Sequence, residues 1–458
     1  MMQKDNYNFT GHRVHLVSLG CARNRVDSEV MLGTLGLHGA SVASEPADAD
    51  TIIVNTCGFI DAAKEESINT ILEMAHFRNT NPELKLVVTG CLTQRYKTQL
   101  AKGLPEVDLF IGTDEFPRIA ELLTKKISGD SEKIYTKRSH YIYSAEMPRI
   151  NTLNKFSAYV KVAEGCQHNC AFCIIPAIRG RLRSRPLVNI LEEVKQLVAS
   201  GVIEINLIAQ DLAAYGRDLE GHDLVALLRA LVEIKGLKWI RLLYVYPENI
   251  DDEFLDFIAS EEKIVKYLDI PVQHASDKIL SAMKRDINRQ GLIEIFGRLR
   301  KKVPNITLRT SVMVGFPGES ADDFAQLLTF VEEQKFSHLG CFKYSKEEGT
   351  VAGRMSDQIN EEIKAQRQEL VMQKQQAISR NYLQKYIGQT VPVLIEGPSA
   401  ETELLWQGRI ASQAPEIDGL VYINEGEPQI GKIQQVKITE AHDYDLIGTA
   451  LPTTSLLN

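Results

Sequence analysis

Strand and helix patterns alternate along most of this chain of 458 residues, and that alternation constrains its fold more than any other feature. In the first third, each apolar, β-branched run is followed by a polar or glycine turn and then by a helical pattern. Parallel strands need such crossover helices, so this order predicts a doubly wound parallel α/β domain over residues 12–122. The four runs are 14–19, 51–54, 84–88 and 107–111.

A second series of strand and helix patterns follows a polar, irregular segment, 123–151, which we interpret as a linker. Strand candidates separated by helical stretches predict an open (β/α)6 barrel of parallel strands over residues 152–382. A charge-rich helix is predicted over 357–386, and Gly388 ends it. The six strand candidates are 159–163, 204–208, 239–246, 267–272, 307–314 and 339–344.

The last part of the chain, 385–452, changes to short strand patterns punctuated by glycines, which predict a small antiparallel β-barrel. Four strands are expected, at 391–395, 404–410, 420–424 and 433–439. This part is also acidic, because residues 388–458 contain ten acidic and only three basic residues. Such a surface opposes phosphate binding and attracts a basic protein.

The chain shows neither a secretory signal nor a membrane-spanning run, because its first ten residues are polar and its apolar stretches are short. We therefore expect a cytoplasmic protein with no membrane partner, and we expect a monomer. In the reducing cytosol, the seven cysteines are expected to be ligands or catalytic groups rather than disulfides.

Three cysteines follow the first strand of the second series and are spaced three and then two residues apart: Cys166, Cys170 and Cys173, here called the radical-site trio. Three thiolates can hold three irons of a cubane and leave the fourth iron open to chelate a small molecule. The alternative is a zinc site, but zinc takes four protein ligands with Cys-x2-Cys spacing. His168 could be a fourth ligand, yet its place between two of the cysteines opposes that geometry.

Three further cysteines follow the first three strands of the chain: Cys21, Cys57 and Cys91, here called the N-terminal trio. The carboxyl ends of parallel strands share one edge of a sheet, so these residues are predicted to converge on a second three-thiol site. Each lies near a helix N-terminus, which favours the thiolate. The alternative is three buried structural cysteines. Cys341 lies mid-strand without partners and is interpreted as a core residue.

The Cys-x3-Cys-x2-Cys spacing resembles that of the radical S-adenosylmethionine superfamily. Four longer runs resemble its methylthiotransferase family over nearly the whole chain: SLGCARNRVDSE at 18–29, NTCGFIDAAK at 55–64, GCLTQRY at 90–96 and IPAIRGRLRSR at 175–185. The resemblance implies an N-terminal cluster domain, a radical core and a C-terminal TRAM barrel. The VDSE and CGFID runs are most similar to the branch that modifies an aspartate of a ribosomal protein, the twelfth of the small subunit.

That resemblance implies two [4Fe-4S] clusters, one on each trio, and S-adenosylmethionine both as methyl donor and as source of a carbon radical. It implies a reductant protein as a further partner, and it assigns no catalytic residue beyond the cluster ligands. An ordinary tight turn or strand cap is the alternative role for each candidate contact with the cofactor. These candidates are Phe172, Gln210, Gln273, Arg309, Gly315 and Gly318, with Arg309 expected to clamp a carboxylate.

Two rival functions remain. One is a tRNA-adenosine methylthiotransferase, and the other is a non-catalytic iron–sulfur regulator that binds nucleic acid. The acidic C-terminal barrel disfavours both, because phosphate binding needs lysine and arginine. The basic run Arg179, Arg181, Arg183 and Arg185 is interpreted either as a solvated or paired face, or as a grip on substrate or cofactor.

Overall fold

The computed structural model describes residues 7–137 and 140–452, which form three sheet-based units. The first unit, the N-terminal domain, is a six-stranded sheet in the order β2-β1-β3-β4-β5-β6, and all of its strand pairs are parallel. Its elements are β1 Arg13–Ser18, α1 Ala22–Leu37, β2 Ser41–Val42, β3 Thr51–Thr56, α2 Asp61–Ala75, β4 Lys85–Gly90, α3 Cys91–Gly103, β5 Leu109–Ile111, α4 Ile119–Ile127 and β6 Ile134–Tyr135.

The second unit, the core barrel, is an open parallel sheet in the order β14-β13-β12-β11-β10-β7, with a two-stranded β8-β9 ribbon beside it. Its elements are β7 Ser157–Lys161, β8 Ala163–Glu164, α5 Ile175–Arg179, β9 Arg183–Ser184, α6 Leu187–Ala199, β10 Glu204–Ile208, α7 Leu224–Val232, β11 Trp239–Leu242, α8 Asp252–Ser260, β12 Ile264–Asp269, α9 Asp277–Ala282, α10 Arg289–Lys302, β13 Thr307–Val314, α11 Ala321–Gln334, β14 His338–Lys343 and α12 Glu361–Gln384.

The third unit, the C-terminal barrel, closes in the order β15-β16-β17-β19-β18. Its strands are β15 Thr390–Pro398, β16 Trp406–Ile410, β17 Val421–Glu425, β18 Ile433–Ala441 and β19 Leu446–Ala450. The predicted fold class is thus confirmed for all three units, and this barrel has one strand more than the four predicted. That strand, β19, pairs parallel with β17, while the other pairs of this barrel are antiparallel.

Two of the differences from the predicted limits have a plain structural cause. Strand β6 pairs with β5, so the first sheet takes in part of the segment predicted as a linker. Strand β11 ends at Leu242 although the apolar run continues to Tyr246. Tyr244 has a φ of 61°, and a left-handed residue cannot continue a strand. Within the described residues, no helix is both long and apolar enough to cross a membrane.

The C-terminal barrel is joined to the core barrel by buried charges. Arg409 contacts Glu204 at 2.5 Å and Glu396 at 2.8 Å, and Arg241 contacts the same Glu204 at 3.0 Å. Glu204 begins β10, so the contact lies at the amino-terminal end of a barrel strand, away from the end that carries the radical-site trio. At this contact the C-terminal barrel packs against the amino-terminal end of a core-barrel strand.

Candidate active site

The N-terminal trio lies along one edge of the first sheet. Thr56 and Gly90 are paired residues at the ends of β3 and β4, so Cys57 and Cys91 leave the sheet side by side. The backbone N–H of Leu19, which follows β1, donates to Asn55 of β3 at 2.9 Å, and Cys21 comes two residues later. The predicted convergence of three strand ends is what the backbone register shows.

Gly20 allows the segment before Cys21 to approach Cys57 closely. Its φ is +85°, and a Cβ added there would lie 2.7 Å from the Cβ of Cys57. A side chain at this position would be strained by its backbone conformation and would push Cys57 aside. The glycine before Cys21 is therefore required by close approach of the two segments.

Asn24 ties the three strand ends together from the first turn of α1. Its amide nitrogen donates to the carbonyl oxygens of Leu19 at 3.1 Å and Thr56 at 3.0 Å. Its amide oxygen lies 3.8 Å from the sulfur of Cys91 and accepts a hydrogen bond from Arg179 at 2.7 Å. Because Asn24 is fully buried, its amide makes these contacts with little competition from water.

The thiols of the N-terminal trio differ in acidity. Burial raises the pKa of Cys21, but the guanidinium groups of Arg23 and Arg179 lower it, and the pKa ends below its ordinary value. Burial and the charges of the other two thiols raise the pKa of Cys57 to about 12. Burial also raises the pKa of Cys91 above its ordinary value, although Arg179 opposes it. The expectation that helix N-termini favour all three thiolates is therefore wrong for Cys57 and Cys91, because burial dominates.

The radical-site trio lies on a loop that is held at several points. The N–H of Ala171 donates to Met283 at 2.9 Å, and the N–H of Cys166 donates to Gly180 at 3.2 Å. His168 lies 2.7 Å from Asp211 through Nε2 and stacks on Tyr246 with ring centroids 3.7 Å apart. The imidazole of His168 thus stabilises the loop through Asp211 and Tyr246. These contacts agree with the sequence argument against His168 as a zinc ligand.

The sulfurs of this loop are also buried. Burial raises the pKa of Cys166 to about 11, and the charges of Asp211 and Cys170 contribute to that rise. Burial raises the pKa of Cys173 to about 12, with added effects from the other two thiols. A bound cation would offset these costs, since a coordinating thiol is deprotonated by its metal.

The described thiols were compared with a site for a single metal ion. In residues 7–137 and 140–452, no set of three His, Cys, Asp or Glu side chains surrounds one point closely enough to hold a metal ion. Yet the thiols within each trio act electrostatically on one another. An iron–sulfur cubane is bound by cysteine thiolates, and that is the type of donor each trio supplies.

Buried ion pairs connect the two trios. Arg179, at the end of the helix after the radical-site loop, contacts Asp27 at 3.0 Å and Glu164 at 3.1 Å. Lys161 contacts the same Asp27 at 2.5 Å and also pairs with Glu164. Since Asp27 belongs to α1, which begins beside Cys21, the network fixes one thiol segment relative to the other.

A second set of buried ion pairs also involves α1. Arg149 contacts Glu29 at 2.5 Å and Glu193 at 2.6 Å, and Arg185 contacts Glu193 at 2.6 Å. The paired interpretation of the basic run is therefore confirmed for Arg179 and Arg185. Sequence reasoning gave no role to Asn24, Asp27 or Glu29. No helical periodicity pointed to all three, because Glu29 lies on a different side of α1 from Asn24 and Asp27.

Gln210 and Phe172 are placed where a polar ligand with an aromatic part could bind. Both amide atoms of Gln210 are buried and have no partner within the described chain. Phe172 packs in one cluster with Phe316, which brings the cysteine loop next to the segment that contains Gly315 and Gly318. A buried amide without partners is costly, so this site fits a hydrogen-bonding cofactor.

The other predicted cofactor contacts are changed by the structure. Arg309 contacts Asp269 at 3.1 Å and Asp418 of the C-terminal barrel at 3.4 Å, so it is no longer assigned to a cofactor carboxylate. A Cβ on Gly315 would lie 2.2 Å from the Lys364 side chain, so that glycine makes room for a lysine. The N–H of Gly318 donates to Asp357 at 2.8 Å. Gln273 has a φ of 71° and stays a candidate.

Comparison with known families divides the chain in the same order as its sheets. The profile described as Uncharacterized protein family UPF0004 matches residues 13–112, that of the Radical SAM superfamily matches 160–331, and that of the TRAM domain matches 387–451. Two solved structures share the fold. They are the radical S-adenosylmethionine methyltransferase TsrM of Kitasatospora setae and the cobalamin-dependent enzyme OxsB.

The TsrM structure with cobalamin and a [4Fe-4S] cluster covers 75% of this chain and 74% of its own, at 14% identity and a TM-score of 0.56. The OxsB structure covers 79% and 56%, at 12% identity and a TM-score of 0.52. These likenesses concern the fold alone.

Several relatives are much more similar over the full length, and each is called ribosomal protein uS12 methylthiotransferase RimO. The one from Citrifermentans bemidjiense is 49% identical over 440 residues, which is 96% of this chain and 98% of the relative. The one from Geotalea uraniireducens is 48% identical, with 96% and 98% covered. The one from Myxococcus xanthus is 49% identical, with 96% and 91% covered.

Proposed function

Because the chain belongs to the RimO family of ribosomal protein uS12 methylthiotransferases, we propose that it adds a methylthio group to the β-carbon of an aspartate in that ribosomal protein. The observation that carries the proposal is the pair of three-thiol sites joined by Arg179. One site alone would suit many radical enzymes. Two sites on connected segments suit a reaction that needs both a radical and a sulfur donor.

Each trio is proposed to hold one [4Fe-4S] cluster, with S-adenosylmethionine bound next to the radical-site trio. When bound, these groups supply hydrogen-atom abstraction from an unactivated carbon and the sulfur that carries the methyl group. Three protein ligands leave one iron of each cluster open to an exogenous ligand. The residues of the chain then have to position these groups and to keep water away from a reactive carbon.

The described side chains fit those tasks. Asn24 and Arg179 hold the N-terminal trio through a buried amide and a buried guanidinium. His168 and Tyr246 hold the radical-site loop by stacking. Gln210 presents a buried amide without partners, which suits the polar groups of S-adenosylmethionine. None of these residues needs to exchange a proton with the substrate.

The C-terminal barrel is proposed to dock the basic ribosomal protein in the cytoplasm, and a separate reductant protein is proposed to supply electrons. Leu404 is 86% exposed and follows the exposed acids Glu401 and Glu403 in sequence. An apolar side chain among carboxylates suits a basic protein better than a phosphate backbone. We define the acidic surface as Glu401, Glu403, Glu425 and Glu427, which are exposed.

The proposal is tested by incubating the reconstituted enzyme with purified uS12, S-adenosylmethionine and a chemical reductant under anaerobic conditions. Peptide mass spectrometry should show one aspartate with the mass of an added methylthio group. A variant with alanine at all three residues of the N-terminal trio is the matched control and should leave uS12 unmodified. Modification of a tRNA adenosine, with uS12 unchanged, would contradict the proposal and support the rival function.

A further inference from the structure

Arg23 lies between the two thiol sites. It is in the first turn of α1, two residues after Cys21. Its Nη1 donates to the carbonyl oxygen of Ala209 at 2.6 Å, and its guanidinium lies 4.8 Å from the ring centroid of Tyr244. Ala209 and Tyr244 follow β10 and β11, so this arginine of the N-terminal domain reaches over the mouth of the core barrel.

Arg23 is connected to the segments of both trios. It follows Cys21 of the N-terminal trio by two residues, and it donates to Ala209 of the core barrel. Val162, just before the radical-site loop, donates to Ile208 at 3.0 Å, which places Ala209 beside that loop. The hydrogen bonds therefore place the guanidinium between the segments that carry the two sites.

Arg23 differs from its neighbours in having no carboxylate within ion-pair distance among residues 7–137 and 140–452. Arg25, two residues further along α1, pairs with Glu416. Arg179 pairs with Asp27 and Glu164. Glu164 is near enough to influence Arg23, but its oxygens are bound by Lys161 and Arg179.

Arg23 is half-buried, and Nη1 is the atom it uses for a hydrogen bond within the described residues, so its other N–H groups can serve an anionic ligand. We propose that Arg23 binds the side-chain carboxylate of the substrate aspartate. This inference rests on the proposed function and adds the residue that recognises the negative charge of the substrate side chain. The reacting β-carbon has to lie between the two clusters, and the carboxylate is bonded directly to it. A cation in that space therefore selects an acidic side chain over an amide or a nucleobase.

The test is equilibrium binding of labelled uS12 to the reconstituted enzyme with S-adenosylmethionine, followed by fluorescence anisotropy without reductant, so that no turnover occurs. Two forms of uS12 are compared, with aspartate or asparagine at the modified position. The wild-type enzyme is expected to bind the aspartate form about ten- to hundredfold more tightly, as for a charged hydrogen bond. Arg23→Gln is expected to bring this ratio close to one.

Arg25→Gln is the matched control, since it removes the same group from the same helix and should retain the wild-type ratio. Iron content and absorbance of each variant report cluster assembly. If Arg23→Gln does not assemble both clusters, Arg23→Lys is measured instead. If Arg23→Lys keeps a wild-type ratio of affinities for the aspartate and asparagine forms, the positive charge recognises the carboxylate. A ratio of one overturns the inference.

Two results separate this inference from the proposed function. Normal modification of uS12 by the wild type, with an unchanged binding ratio in Arg23→Gln, would overturn the role of Arg23 and leave the proposed function intact. Failure of the wild type to bind or modify uS12 would remove both. A raised S-adenosylmethionine requirement for substrate-free cleavage in Arg23→Gln would assign the guanidinium to the cofactor and also overturn the inference.

Discussion

Glu204 offers a direct test of how the C-terminal barrel is held on the core barrel. Its carboxylate is fully buried, and it is contacted by Arg409, by Arg241 and by the hydroxyl of Ser157. Burial alone would raise the pKa of Glu204, but the two guanidinium groups lower it from 4.5 to about 2. That shift corresponds to about 3 kcal/mol of folded-state stability.

Because the folded pKa of Glu204 is depressed, its stabilisation is fully present above the unfolded value of 4.5 and is lost as the pH falls towards 2. Glu204→Gln should therefore lower the free energy of unfolding at pH 7 by about 3 kcal/mol, since it leaves buried guanidinium charge under-compensated. The difference between wild type and variant should stay constant down to about pH 5 and shrink below it.

The two tryptophans make the assay possible. Trp239 of the core barrel is buried in a cluster with Leu394 and Ala414 of the C-terminal barrel, and Trp406 lies in β16. Urea unfolding followed by tryptophan fluorescence reports on both sides of this junction. Glu425→Gln, which removes an exposed glutamate from the same barrel, is the control and should change stability by less than about 0.5 kcal/mol. A loss below about 1 kcal/mol for Glu204→Gln, or an unaltered pH profile, would refute the electrostatic account.

Three further predictions concern the clusters and the partner. Alanine at any residue of the radical-site trio should abolish deoxyadenosine release, measured by chromatography, and should leave about half of the iron, because the other trio keeps its cluster. Alanine at any residue of the N-terminal trio should stop methylthiolation, while cofactor cleavage persists. If its triple variant still forms methylthiolated product, this trio does not supply the sulfur. Lysine at all four positions of the acidic surface should weaken uS12 binding and flatten its dependence on salt, because attraction acts over ~8 Å at physiological ionic strength. Unaltered affinity and salt slope would leave those acids only a solubility role.

The grouping of the N-terminal trio could be predicted from the sequence because it depends on local order. A cysteine after each of three parallel strands converges with its neighbours whatever the loops do, and the register at Thr56 and Gly90 bears this out. Arg309 could not be predicted in the same way. Its partner Asp418 is more than a hundred residues away and belongs to another unit, so only the assembled structure shows that the guanidinium is occupied.

The same distinction explains the other differences. The acidity of Cys57 and Cys91 follows from how deeply they are buried, which helix position alone does not reveal. The early end of β11 follows from one left-handed tyrosine inside an apolar run. Arg23 was passed over because an arginine beside a cysteine in sequence shows nothing of the barrel mouth it reaches.

The buried acids of α1 have a consequence for the order in which the protein matures. Asp27 is neutralised only by Lys161 and Arg179 among the described residues, and Glu29 is held by Arg149 and Thr152. All of these partners leave the ribosome more than a hundred residues later. Domains generally fold as they emerge, amino terminus first. The N-terminal domain is therefore synthesised with two carboxylates that have to stay hydrated until the core barrel follows. Its cysteines gain their final surroundings only when the second thiol loop already exists.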